Sequence, residues 1–362
     1  MNEKVDFTSP MKILVSGIVI LDYLTNTGLI PTTLYSTLMA TSIISFYLFF
    51  SKKREGFSIY EIITLLLSSS FVVLNRDVSN FSLGLMWIFY FIFMKSKIDG
   101  RILLKYYAIT ASFCFSLSIL LYYLIGFNKS SDMLMWRNGE GVTRLSLGFI
   151  QPNLTMMSFL GLIITFLYLS NQKRSQILLM ILATIIVFDL TKSRTSGYIL
   201  FLLLGVCFLV GKRIVSKAGR MLKWIVISLP LLLLAISIFM LKYPINESIN
   251  SLLSGRILLY QSIYYDFGIH LIGNSAVKFT MLDTGYLQAL IAKGILFSIF
   301  LGISFYYIFF KGRKSKSKLD YIVLAIYFLI AFTETSFFRF IVLLPILIIS
   351  IIGVDNKSQT SM

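Results

Sequence analysis

Charge is scarce in this 362-residue chain: 14% of residues are charged, 16 are acidic, and there are one histidine and two cysteines. Each shortage excludes something. Cys114 and Cys207 both fall inside apolar runs, are too few for a zinc site, give no sign of a disulfide, and read as buried free thiols. The carboxylates nowhere pair at a spacing that argues for a bound divalent ion, so neither metal nor cofactor is expected. The glycines at Gly205 and Gly211 fail as a phosphate loop, because their spacing is one residue too long and Arg213 follows Lys212 where a Ser or Thr is needed. What fills the chain instead is apolar. With 57% hydrophobic residues and a mean hydropathy of +0.83, an ordinary soluble domain is excluded.

The apolar residues come in blocks at 11–30, 33–50, 57–74, 81–94, 105–125, 154–169, 176–190, 195–211, 222–241, 285–310, 319–333 and 337–353. A helix needs roughly 20 apolar residues to cross a bilayer, so about twelve crossing helices are expected. Transmembrane strands would alternate with period two, and these blocks do not. The expected fold is all-α, a polytopic integral membrane protein with a single transmembrane domain over residues 1–362. Asp22 and Asn26 lie in the first block and no small-residue cleavage site follows, so that block is expected to stay as a helix.

The formal net charge of +17 follows the same alternation. Lysine and arginine gather in every second loop: at 52–54, at 95–105, at Lys173 and Arg174, at 212–223 and at 311–318. By the positive-inside rule these loops and both termini are cytoplasmic, and the number of crossings is even. The excess charge is thus a topology signal that meets anionic membrane lipid, and no nucleic-acid partner is expected. Two long loops, 126–153 and 242–284, then lie outside.

On that outer face the cations are mostly arginine: Arg76, Arg137, Arg144, Arg194, Arg256 and Arg339, beside Lys129, Lys192, Lys242 and Lys278. A guanidinium offers phosphate a planar fork where an ammonium offers a point charge. Pairing with Asp77, Asp132, Glu140, Asp266 or lipid headgroups is the plainer reading of any one of them. Residues 191–197, Thr-Lys-Ser-Arg-Thr-Ser-Gly, put Lys192 and Arg194 together between two apolar runs. The first long loop ends with Arg144, Gln151, Pro152 and Asn153 running into a span, where Asn153 is placed to cap a helix starting at Leu154. Apolar spacing from 249 to 264 suits a helix lying in the membrane interface and carrying Arg256. Asp283 precedes the span that contains Tyr286 and is either an N-cap or a base. Glu334, at the outer end of another span, is a second base candidate, a cap, or a partner of Arg339. Lys293 is the one charge that falls well inside a span.

These residues resemble the Wzy-type polymerases of O-antigen and capsular polysaccharide and their relatives, the O-antigen ligases. Arg144 with Gly148, Pro152 and Asn153 is similar to the family's Arg, Gly and Pro-Asn element before a span. Ser193-Arg194-Thr195 is similar to its Ser-Arg-Thr element, Ser254-Gly255-Arg256 to the Gly-Arg that opens its main external loop, and residues 283–287 to the element that closes it. Ligases typically carry a histidine at that last place. Here it is Asp283, followed by Thr284 where the family has Asn, which favours a polymerase; His270, thirteen residues upstream, is a weaker catalytic candidate.

The resemblance implies a metal-independent glycosyltransferase on the outer side of the bacterial cytoplasmic membrane. Its substrates are polyprenyl-diphosphate-linked oligosaccharides, serving as donor and acceptor, and a separate chain-length regulator is a further expected partner. Asp283, Arg194 and Arg256 are the expected catalytic residues. Arg144, Lys192, Arg76, Gln151, Asn153, Lys278, Tyr286 and Glu334 are expected to bind substrate. A ligase-like transfer to another acceptor is the nearest alternative. A flippase for the same lipid-linked saccharide should instead place ionisable residues at mid-span, with broken helices and internal repeats.

Overall fold

The computed structural model describes residues 8–54, 56–96, 98–137, 140–170, 172–243, 250, 255–274, 276–277, 282–311 and 317–351. Its helices are α1 (Thr8–Asn26), α2 (Thr32–Arg54), α3 (Ile59–Leu74), α4 (Ser82–Ser96), α5 (Gly100–Ile125), α6 (Pro152–Leu169), α7 (Arg174–Thr191), α8 (Arg194–Val210), α9 (Arg220–Lys242) and α10 (Arg256–Phe267). A short α11 (Gly285–Leu287) runs into a π-helical turn at Gln288–Ala292, followed by α12 (Ile295–Tyr306), α13 (Lys318–Thr333) and α14 (Phe340–Ile351). Each apolar block read from the sequence is largely helical among the described residues. Among the described residues, seven helices are long and apolar enough to cross a membrane, and three shorter ones are also apolar.

Burial separates an inner layer from an outer one. α4, α6 and α14 are buried along almost their whole length, with Trp87, Phe89, Leu160, Ile164, Leu343 and Leu347 at 2% exposure or less. α2, α7 and α9 present large apolar side chains outward, Leu48, Leu179 and Leu231 among them. A surface of this kind belongs against lipid, where each helix satisfies its backbone internally. The chain is an all-helical membrane protein in its overall make-up.

The loops fall into two sets at the two ends of the bundle. At one end Lys95 donates to the Gly56 carbonyl, Tyr168 donates to Asp320, and Ser216 and Lys217 pair with residues 317–318. These are the lysine-rich loops. At the other end Asn128 donates to the carbonyls of Thr27 and Gly148, Ile150 bonds Asn26, Asn75 bonds Lys293, and Leu145 bonds Leu190. Helices that alternate in direction place successive loops at opposite ends in this way.

Three local expectations are corrected. The block 285–310 is not one helix: the π-turn bond from Lys293 N to Gln288 O widens and underwinds it, and Gly294, at φ +93°, turns the chain before α12. A side chain at Gly294 would meet the backbone of 271–273 at 2.6–2.8 Å, so the break is set by a close backbone crossing. Lys293 therefore lies at the loop end near Asn75 and Ser79, not at mid-span. Within 126–153 the chain forms an antiparallel hairpin, β1 (Met133–Arg137) and β2 (Glu140–Arg144), the described exception to an all-helical fold. The helix carrying Arg256 begins at Arg256 itself, preceded by Gly255 in the left-handed region, and packs Ile257, Tyr260 and Ile263 inward, next to α9; most of 249–254 lies outside the described residues.

Candidate functional site

The turn between α7 and α8 is built to hold Arg194. Lys192 takes a left-handed conformation (φ 47°) and its N–H caps α7 at the Phe188 carbonyl, 2.7 Å away. Gly197 lets the two helices close up, since a Cβ there would sit 2.4 Å from the Phe188 ring. Arg194 thus starts α8 with its side chain in a cavity, whereas Lys192 turns away to pair with Asp189 on the surface. The sequence pairing of Lys192 with Arg194 is not kept in space.

Arg144 ends β2 and is only 7% exposed. Its Nε donates to the Thr191 carbonyl at 3.1 Å, at the C-terminus of α7, where the helix dipole favours a cation. Its Nη2 donates to Asn153 Oδ1 and its Nη1 lies 3.3 Å from Met135 Sδ. Asn153 is not a helix cap: α6 starts at Pro152, with Gln151 in the capping position. The Asn153 side chain is a junction, accepting also from Ser193 Oγ (3.0 Å) and lying 3.4 Å from Glu334 Oε1. Thr195 Oγ1 donates to the same Glu334 oxygen at 2.9 Å.

Arg256 repeats the device used by Arg144. Its Nη1 donates to the Thr333 carbonyl, 3.0 Å away at the end of α13, and its Nη2 lies 3.4 Å from Asp283 Oδ2. Asp283 is likewise not a cap, because Thr284 holds the N-cap position of α11. Its carboxylate is 44% exposed and engages Arg256.

Arg144, Arg194, Arg256, Asn153 and Asp283 all line one cavity of about 510 Å³, together with Met135 of the hairpin, Ser237 and Met240 of α9, Tyr260, Thr284 and Thr333. Glu334 stands behind this wall. It is buried, and desolvation raises its carboxyl above the ordinary range, partly offset by Arg256 and by the Thr195 hydrogen bond. Burial likewise pushes the Tyr260 hydroxyl up to about 12. The chemistry available is a set of fixed guanidiniums facing an apolar-walled space, with one accessible carboxylate beside them.

Several expected residues stand elsewhere. Arg76 is exposed past the end of α3 and faces no part of this cavity. Gln151 lines a different cavity. Tyr286 points into the core against Phe337. His270 is exposed, with Nε2 2.6 Å from the Phe267 carbonyl. Lys278 lies outside the described residues. Arg339 makes no ion pair with Glu334 within 4.0 Å among the described residues and also lines the other cavity. Sequence reasoning overlooked Met135, Ser237, Met240 and Tyr260 as walls, and the carbonyls of Thr191 and Thr333 as anchors. No residue-type signal marks a carbonyl, but both arginines could have been matched to nearby helix ends. Comparison with family models, with curated proteins and with solved structures finds no match to this chain.

Proposed function

We propose that the protein is a polysaccharide polymerase of the O-antigen and capsule type, transferring a growing glycan from a polyprenyl diphosphate to a lipid-linked repeat unit. The observation that carries this reading is the convergence of Arg144, Arg194 and Arg256 with Asp283 on one cavity, at the end of the bundle opposite the lysine-rich loops. Gathering three guanidiniums in a partly desolvated space is costly unless an anion shares it. A diphosphate is such an anion, and its polyprenyl tail suits an apolar helical bundle.

In this reading the donor's diphosphate lies against the three arginines. The bond from the anomeric carbon to the diphosphate oxygen breaks, the polyprenyl diphosphate leaves with its charge stabilised by the guanidiniums, and an acceptor hydroxyl oxygen bonds to that carbon. The hydroxyl proton passes to Asp283. The diphosphate also competes for Arg256, which loosens the 3.4 Å contact to Asp283 and leaves the carboxylate to act as base. Glu334, held by Thr195 and Asn153, positions the arginine wall instead of meeting substrate.

The positive-inside bias supports an even number of crossings, cytoplasmic termini and external loops at 126–153 and 242–284 in a bacterial cytoplasmic membrane. A cysteine placed near Ser131 should react with an impermeant reagent in intact cells; labelling only after permeabilisation contradicts that orientation. The activity is tested with purified protein and a synthetic polyprenyl-diphosphate oligosaccharide. A ladder of products without added metal is expected. A single addition to a different lipid acceptor would make the protein a ligase, and no transfer at all would remove the reading.

A further inference from the structure

A second cavity, also about 510 Å³, lies at the same end of the bundle on the far side of the link between α13 and α14. The two share their walls. Asp283, Thr284 and Leu287 face the first cavity, and Gly285, Gln288 and Ala289 the second; Phe332 and Thr333 face the first, and Thr335, Phe338 and Arg339 the second. Where the first cavity is dominated by arginine, the second mixes signs: Asp22, Lys293 and Arg339.

Asp22 is 4% exposed and accepts from the Tyr35 hydroxyl at 2.8 Å. It lies within electrostatic reach of Arg339, so these two charges offset each other. Lys293, 8% exposed, adds one further positive charge, held 4.9 Å from the ring centroids of Phe297 and Phe338 and 3.4 Å from the Ser79 carbonyl. Three of the residues that line it, Asp22, Ser82 and Arg339, each carry a buried polar atom (Oδ2, Oγ and Nε) that makes no hydrogen bond within 3.5 Å among the described residues, with the Ile341 backbone also standing close to the Asp22 carboxylate. Buried polar atoms are normally satisfied, and an acceptor, a hydroxyl and a donor left together mark a place for a ligand that offers both kinds of group. Thr25, Asn26, Thr32, Ser36, Gln151 and Gln288 extend the hydroxyl and amide lining.

We propose that this second cavity is a separate binding site for a hydroxyl-rich ligand carrying a single anionic group, a chemistry shared by uronic acids and by the glycerophosphate headgroup of a lipid. Ligand hydroxyls bond the Asp22 carboxylate and the Ser82 hydroxyl, while the anion meets Lys293 and the Arg339 guanidinium. The proposal rests on these residues and does not depend on the polymerase reading.

The test is saturation-transfer NMR on the full chain in neutral detergent, with D-glucuronate, glycerol 1-phosphate, D-glucose and glycerol as probes. At least one anionic probe should bind about tenfold better than its neutral counterpart, the factor one charge-assisted hydrogen bond supplies. Binding should weaken by about the same factor in Lys293→Gln and persist in Arg256→Ala. Lys293 also packs on two rings, so Ser36→Phe, which narrows the cavity without removing a charge, gives an independent reading and should abolish binding. Preference for glucuronate assigns the site to a sugar, and preference for glycerol 1-phosphate to a lipid headgroup. No binding by either anion, equal response to charged and neutral probes, or binding lost in Arg256→Ala but kept in Ser36→Phe would overturn the proposal.

Discussion

Two ion pairs, one at each end of the bundle, show how differently the ends are built. At the lysine-rich end Lys95 meets Glu61 at 2.7 Å with side chains 14% and 5% exposed, and Glu61 also accepts from Tyr47 and closes the capping box of α3 on Ser58. Every part of that carboxylate is committed to structure. At the opposite end Arg256 and Asp283 stand 3.4 Å apart with side chains 25% and 44% exposed, both facing a cavity. The first pair is a fixed joint. The second is a looser contact, and in the proposed function an incoming anion takes over its arginine while the bond to the Thr333 carbonyl keeps the guanidinium in place.

The sharpest way to break this comparison is Asp283→Asn. With the capping role excluded, Asn keeps size and polarity but cannot take a proton, and the rate of chain extension should fall by about 10² to 10⁴. A parent-like ladder would remove the base assignment. Next come Arg256→Ala and Arg194→Ala, each expected to cost on the order of 10² to 10³ in turnover at normal protein levels, with lysine restoring only part. Quantified ladders from membranes of matched protein content check both.

Stability measurements sharpen the rest. Asn153→Leu strips Arg144, Ser193 and Glu334 of a common partner, and thermal or denaturant unfolding should show a loss of about 1–3 kcal/mol. Glu334→Gln tests a pH dependence. Because burial raises the Glu334 carboxyl above its unfolded value, its charged form is the costly one in the folded state. Its contribution is fully present below the unfolded pKa and is lost as pH rises through the folded one. Gln, which can still accept from Thr195 and Asn153, should therefore unfold at a higher temperature than the parent at neutral pH, with the gap closing in acid; a gap that widens in acid contradicts the assignment. Lys192→Ala should do least, within about 1 kcal/mol of parent stability and near-parent activity, since its partner Asp189 is on the surface.

Much of the fold was legible because apolar blocks and basic loops report burial in lipid and loop sidedness residue by residue. Each block is largely helical among the described residues, that at 285–310 with a break. The break at Lys293–Gly294 was hidden because the local sequence stays apolar across it, and the cause, the crossing of residues 271–273, is remote in sequence. The four charges singled out in the sequence, Arg144, Arg194, Arg256 and Asp283, line one cavity. Its second tier was not legible, because Asn153 reads locally as a cap after Pro152 and only the tertiary approach of Ser193 and Glu334 makes it a junction. Lys192, Arg76 and Tyr286 do not line that cavity, because nearness in sequence to an arginine or to a loop end says nothing about which way a side chain turns.

The most direct test of the account is a structure of the protein with a bound polyprenyl diphosphate. The account predicts diphosphate density within hydrogen-bond reach, about 3 Å, of the guanidiniums of Arg144, Arg194 and Arg256, with Asp283 released from Arg256. Density for the diphosphate beside Lys293 and Arg339, with the arginine-lined cavity unchanged, would contradict it.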